Sequence, residues 1–213
     1  MATTKIWCSN FIANTSNQKP ISHPDDVSQE ELRFRVKLQR AWARGELIQP
    51  ESFPAPLSLV KPLDAGASFP DFFTIYDGWC LISEKAAAVL SSFDLGRSQL
   101  IETPIFEQDQ ITQRPERFFL LNVAEHKQGF DREKSTNWSL RPSWPSDRPG
   151  RELWKPIVDT KGLAVREGAA QGVDLWFDED VLDILFFSDR LAKAIKAAKL
   201  KKHGLQPCIV VED

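Results

Sequence analysis

Apolar positions along the chain gather into short runs separated by polar, turn-rich segments, and two of these runs share one grammar. Residues 69–96 (FPDFFTIYDGWCLISEKAAAVLSSFDLG) read as an approach loop, a turn at Asp77-Gly78, an apolar strand over 79–82 and a helix opened by Ser83. A serine hydroxyl at a helix start accepts a hydrogen bond from an orphan amide of the first turn. Behind it, Ala86, Val89, Leu90 and Phe93 follow the spacing of a core-facing helical stripe, and Gly96 closes the element. Residues 185–204 (LFFSDRLAKAIKAAKLKKHG) echo this unit. Ser188 takes the capping role, Asp189 complements the helix dipole, and Leu191, Ala194, Ile195 and Ala198 mark the buried face. Both serines therefore read as caps and not as nucleophiles, in a scaffold unit used twice.

Elsewhere the pattern is less uniform. Residues 4–8 (TKIWC) read as a short edge strand and residues 10–26 as a loop. Over 27–45 two periodicities compete. Leu32, Phe34, Val36 and Leu38 alternate with basic residues, as in a strand, whereas Ser28 and Glu31 form a capping box and Gly45 stands where a C-terminal cap belongs. The run from 28 to 44 has no Gly or Pro and is long for a strand, so it predicts a helix. Five prolines between 46 and 70 predict an extended connector draped over the domain. Residues 100–106, interrupted by Pro104, predict an edge strand. The apolar run 118–123 (FFLLNV) predicts a strand buried on both faces. Short strands are predicted at 154–159, 163–166 and 208–211, and 173–177 should pair with 181–187 through the acidic turn Asp178-Glu179-Asp180. The expected class is α+β, with one mixed or mainly antiparallel sheet and two or three packed helices. Residues 1–68 form an N-terminal helix and connector of the same fold, and 69–213 form its core domain.

Composition narrows the function classes. The chain has 213 residues, 42% apolar and 27% charged, the balance of a globular protein. A net charge of −3 gives no global attraction to nucleic acid or anionic lipid. No run of 18 apolar residues and no leader pattern is present, and the three cysteines are far apart, which together point to a soluble protein of a reducing cytoplasm.

Candidate chemistry is sparse. His126, Asp131 and Ser135 lie within ten residues, but without the sharp glycine-flanked turn that presents a nucleophile. They read as bracing a turn. The acidic cluster Asp174, Asp178, Glu179, Asp180 and Asp183 raises the alternative of a metal-dependent hydrolase or nuclease, but it lacks calcium-loop spacing and reads as a solvated hairpin turn. His23, His126 and His203 are isolated from other zinc-type ligands, so no metal or cofactor is expected. The basic run from Arg190 to Lys202 reads as a solvent face of its helix. The tryptophans carry more information. Trp138, Arg141, Trp144, Arg148, Arg151 and Trp154 share a proline-stiffened stretch, and Trp and Arg are the types enriched at interface hot spots. They are the candidate partner-binding residues.

Five pieces, in order and spacing, resemble the bacterial immunity protein family 11 of polymorphic-toxin systems. They are Phe69-Pro70-Asp71-Phe72-Phe73; Gly78 with Leu81-Ile82-Ser83-Glu84-Lys85; Phe119-Leu120-Leu121-Asn122-Val123; Asp131 with Ser135; and Leu185-Phe186-Phe187-Ser188-Asp189-Arg190-Leu191 with its helix and Gly204. The resemblance covers about two-thirds of the chain, from Phe69 onward. It implies a cytoplasmic, non-enzymatic protein that binds and neutralises a cognate toxin, commonly encoded next door and delivered by contact-dependent or type VI secretion. It carries over no catalytic residues. Its toxin-facing surface is expected in the parts that fit the pattern least, 129–154 and the N-terminal third.

Overall fold

The computed structural model describes residues 4–23, 27–53, 56–63, 68–141, 153–156 and 159–213. The class is α+β, with three α-helices among the described residues and several sheets in place of the single one expected. Helix α1 (Gln29–Ala43) forms as its caps predict. Ser28 Oγ accepts from the Glu31 amide at 3.1 Å. At the other end Gly45, at φ +69°, lets its own amide reach Trp42 O and the Glu46 amide reach Ala41 O, at 2.8 and 2.9 Å. That pair of bonds is a Schellman closure. Helices α2 (Glu84–Leu90) and α3 (Asp189–Ala197) are capped by Ser83 and Ser188, each accepting from the amide three residues on at 3.2 Å.

Two five-stranded sheets organise the rest. In the first, Gln18–Lys19, Phe72–Ile75, Cys80–Ser83, Phe118–Asn122 and Gln99–Glu102 lie side by side. In the second the order is His126–Lys127, Leu175–Asp178, Leu185–Ser188, Ile6–Ser9 and Gln206–Pro207. Both read parallel, antiparallel, antiparallel, antiparallel across the sheet. The short parallel pair Leu57–Leu59 with Ile105–Phe106 is likewise matched by Ala164–Arg166 with Ile209–Val211. Even the antiparallel pairing of Ile21–Ser22 with Leu57–Leu59 has its counterpart in the bridge between Phe130 and Val165. The echo seen in sequence at two strand–serine–helix units is thus one piece of a topological repeat that runs through the chain.

The halves exchange a strand. Ile6–Ser9, which opens the first half, sits between two strands of the second, and Phe118–Asn122, which opens the second, sits between two strands of the first. Ile6–Ser9 is therefore a central strand, correcting the expected edge. Its second neighbour comes from the far end of the chain, which no local pattern reveals. The proline-rich segment is also more than a drape: Ile48, Phe53, Leu57 and Leu59 are buried in the main core. The expected strand over 100–106 is split at Pro104 between two different sheets.

Reciprocal clasps lock the halves. Asp71 Oδ1 accepts from Ser83 Oγ at 2.7 Å, and its Oδ2 accepts from the Lys201 amide beyond α3 at 2.7 Å. Asp174 stands at the matching place. It accepts from Ser188 Oγ and Arg190 Nε, the latter at 2.5 Å, and its Oδ2 accepts from the Asp94 amide beyond α2 at 2.9 Å. Each carboxylate thus holds its own helix cap and the tail of the other half's helix. One large core spans both sheets, including Phe72, Leu81, Leu120, Leu175, Phe187 and Leu191. A smaller core around Ile6, Trp176 and Phe186 fills the opposite face of the second sheet. The period-two alternation of Leu175, Trp176 and Phe177 distributes these side chains between the two.

Candidate functional site

The acidic cluster is dispersed into structural duties. Asp174 forms the clasp described above and is fully buried. Asp178, also buried, accepts from the amides of Gly129, Phe130 and Asp180 at 2.7, 2.9 and 2.9 Å. Burial lifts its carboxyl above the ordinary value against the pull of those amides. Glu179 accepts from Gln128 Nε2 at 2.6 Å, and Asp183 takes a left-handed turn at φ +55°. Among the described residues no group of three or more His, Cys, Asp or Glu side chains is placed to hold a metal ion.

Nor do His126, Asp131 and Ser135 form a relay. Ser135 Oγ donates to Asp131 O at 2.6 Å and accepts from the Ala164 amide at 2.9 Å. Asp131 Oδ1 accepts from the Lys134 amide at 2.9 Å, which makes the pair a turn brace. His126 instead stacks on Phe177, with ring centroids 5.9 Å apart, and fills the space beside Gly45. The basic helix is also engaged: Lys193 pairs with Asp189 at 2.6 Å, Lys196 Nζ lies 3.2 Å from the Trp7 ring centroid, and Arg190 holds Asp174.

The Trp/Arg stretch is partly in view. Trp138–Arg141 and Leu153–Pro156 form an antiparallel ribbon. Trp138 is half-buried against the smaller core, 5.7 Å from Phe130, and its indole N–H has no acceptor among the described residues. Trp154 lies 6.1 Å from Phe130 with the Arg132 guanidinium 5.3 Å from its ring centroid. Trp144, Arg148 and Arg151 lie outside the described residues, as does the Arg141 side chain.

A second surface lies along α1, within the N-terminal third where the resemblance places toxin contact but where no individual residue is singled out from sequence. Only Trp42 of this helix is fully buried, its indole N–H donating to Leu121 O at 3.0 Å and its ring edge-on to Trp79. Leu32, Phe34 and Val36 are exposed on the helix, and Tyr76 is exposed on the turn beside it. Between helix and turn runs an open groove of about 480 Å³, lined by Leu32, Val36 and Gln39 on one wall and Tyr76, Gly78 and Trp79 on the other. Its floor is a half-buried staple. Ser22 Oγ donates to both Asp77 oxygens at 3.1 Å, the His23 amide donates to Oδ2 at 2.9 Å, and His23 Nδ1 lies 2.6 Å from the same oxygen. The hydroxyl bonds the carboxylate and not the imidazole, so this Ser–Asp–His trio lacks the hydroxyl-to-imidazole contact of a nucleophile. Burial alone would raise the Asp77 carboxyl, but the bonds from His23 and Ser22 outweigh it and hold it below the usual value. Gln39 Nε2 ties the same turn to α1 by donating to Asp77 O. The signal for this surface was present in sequence as the alternation of Leu32, Phe34 and Val36 with basic residues, which a helix buried along one side does not need.

No helix among the described residues is long and apolar enough to cross a membrane. A family model described as Immunity protein family (Imm11) matches residues 10–209, which extends well before Phe69 and covers nearly the whole chain. Comparison with curated proteins gives no match.

Proposed function

Because the chain belongs to the Imm11 immunity protein family, we propose that it neutralises a cognate bacterial toxin by binding it, without catalysis of its own. The family match over 10–209 carries this reading. The carboxylates and serines whose closeness in sequence raised catalysis support it, since their bonds go to caps, turns and inter-half clasps. The partner is a toxin of a polymorphic-toxin system, encoded next to this gene and met in the cytoplasm after contact-dependent or type VI delivery.

Tight neutralisation calls for an interface of at least about 1,200 Å² with a few aromatic or Arg anchors. The Trp138–Trp154 stretch supplies residues of that kind, and we assign it part of the contact through Trp138, Arg141, Trp144, Arg148, Arg151 and Trp154. Co-expression with the adjacent toxic gene tests the function: cells should survive with the protein and die without it, and equal killing in both would end the reading. Trp144→Ala should then weaken toxin binding, measured by calorimetry, by roughly tenfold or more with little change in melting temperature. Unchanged affinity with a lowered melting temperature would assign Trp144 to the core.

A further inference from the structure

The topological repeat contains an internal comparison. Between the Ile21–Ser22 and Leu57–Leu59 strands the first half inserts α1, and between the matching Phe130 and Ala164–Arg166 the second half inserts the Trp138–Arg141/Leu153–Pro156 ribbon. One scaffold position thus holds a helix in one half and a ribbon in the other. The inner side of α1 is engaged through Trp42 and Gln39, whereas its outer side carries exposed apolar and basic residues.

That side is built from two adjacent ridges. Leu32 and Val36, one turn apart, are 47% and 39% exposed, and Tyr76 across the groove is 48% exposed. Beside them Arg33, Lys37 and Arg40 form the basic ridge, lining with Leu32 and Val36 a shallow second depression. In a chain of net charge −3, none of these three cations has an ion-pair partner among the described residues, although most other exposed arginines on described elements do. An exposed apolar cluster rimmed by charged residues is the composition of an interaction site.

We infer that the outer face of α1, with its groove against Tyr76, is a docking surface for an acidic protein surface that inserts an apolar side chain between Leu32, Val36 and Tyr76. The inference rests on the toxin-binding reading above and names the chemistry that the toxin presents. Charge complementarity selects this occupant. A second copy of the chain in a two-fold contact would bring the basic ridge against itself. An anionic bilayer would want a broad apolar helix face, whereas this one narrows after Val36 to Lys37 and Arg40. Nucleic acid would find only three unpaired cations here, interleaved with aliphatic side chains instead of stacking aromatics.

The test uses the full-length protein and the toxin domain that passes the co-expression experiment. Two variants, Arg33→Glu/Lys37→Glu/Arg40→Glu and Leu32→Ser/Val36→Ser, alter the two ridges separately at exposed positions. Each should weaken toxin binding at least tenfold while circular dichroism and melting temperature stay close to wild type, and wild-type affinity should fall as salt rises. Ile111→Ser, at an 82% exposed apolar side chain on another turn, should bind as wild type. Wild-type affinity in both ridge variants would overturn the inference and leave toxin neutralisation standing. So would binding to phosphatidylglycerol vesicles or duplex DNA that the ridge variants abolish while toxin binding survives. A wild-type protein that neither binds nor protects would instead remove the functional reading on which this one rests.

Discussion

At the scale of single residues, the molecule uses its carboxylates as connectors. Asp174 illustrates the physics. Burial works to raise its carboxyl, but the bonds from Arg190 and Ser188, the Asp94 amide and the Arg190 charge outweigh it, so the group is held below the ordinary value. Its folded value is lower than its unfolded one. The stability it contributes is therefore fully present above about pH 4 and lost as pH falls through the folded value. Asp174→Asn should cost about 2–3 kcal/mol at pH 7, because it weakens the charge-assisted bond from the exposed Arg190 and replaces the buried carboxylate that accepts from Ser188 and the Asp94 amide with a neutral amide. In denaturant titrations that penalty should shrink steadily below pH 4. A penalty that is the same at pH 3 and pH 7 would show that the ionised carboxylate is not what holds the clasp.

At the scale of elements, α1 shows how far a sequence can be read and where the reading stops. Its limits were legible because they are written in local chemistry: Ser28 and Glu31 at one end and Gly45 at the other. Gly45 is required twice over. Its φ of +69° lies where a side chain is strained, and a Cβ there would collide with the His126 ring. Gly45→Ala should accordingly destabilise by more than the roughly 1 kcal/mol of conformational strain alone. His126→Ala in the same background should recover the excess, read as a difference in midpoint denaturant concentration. The exposed face of the same helix was also present in sequence, in the competing strand-like alternation of Leu32, Phe34 and Val36. That pattern is ambiguous until the helix is placed, since only then do Leu32 and Val36 fall on one ridge beside Tyr76. The His23–Asp77 staple was not legible, because 54 residues separate its partners. The Ser83 and Ser188 caps were, because a cap is a contact between residues three apart.

At the scale of the whole molecule, the exchanged strands make a strong claim about folding. Each half's five-stranded sheet has its fourth strand supplied by the other half, Phe118–Asn122 in the first and Ile6–Ser9 in the second. Removing that strand leaves its neighbours' backbone donors and acceptors unpaired in the interior, where each unmet group costs about 1–3 kcal/mol. It also removes Leu120 and Leu121, or Ile6 and Cys8, from cores in which all four are buried. Neither half can then close its core alone. The loop between the halves is a suitable place to cut, since Asp109–Ile111 is exposed and forms a tight turn through Asp109 Oδ1. Fragments 1–110 and 111–213 should each lack cooperative thermal unfolding and should regain it when co-expressed or mixed, with a melting temperature that rises with concentration. A fragment 1–110 that melts cooperatively by itself would mean that the first sheet tolerates the loss of its fourth strand, and that the exchange is an ornament of the topology and not its lock. If the fragments do complement, the two inserted elements, α1 from one fragment and the Trp138–Arg141/Leu153–Pro156 ribbon from the other, can be varied independently against an unchanged partner. Toxin binding by mixed mutant and wild-type fragments would then apportion the interface between the two halves of one scaffold.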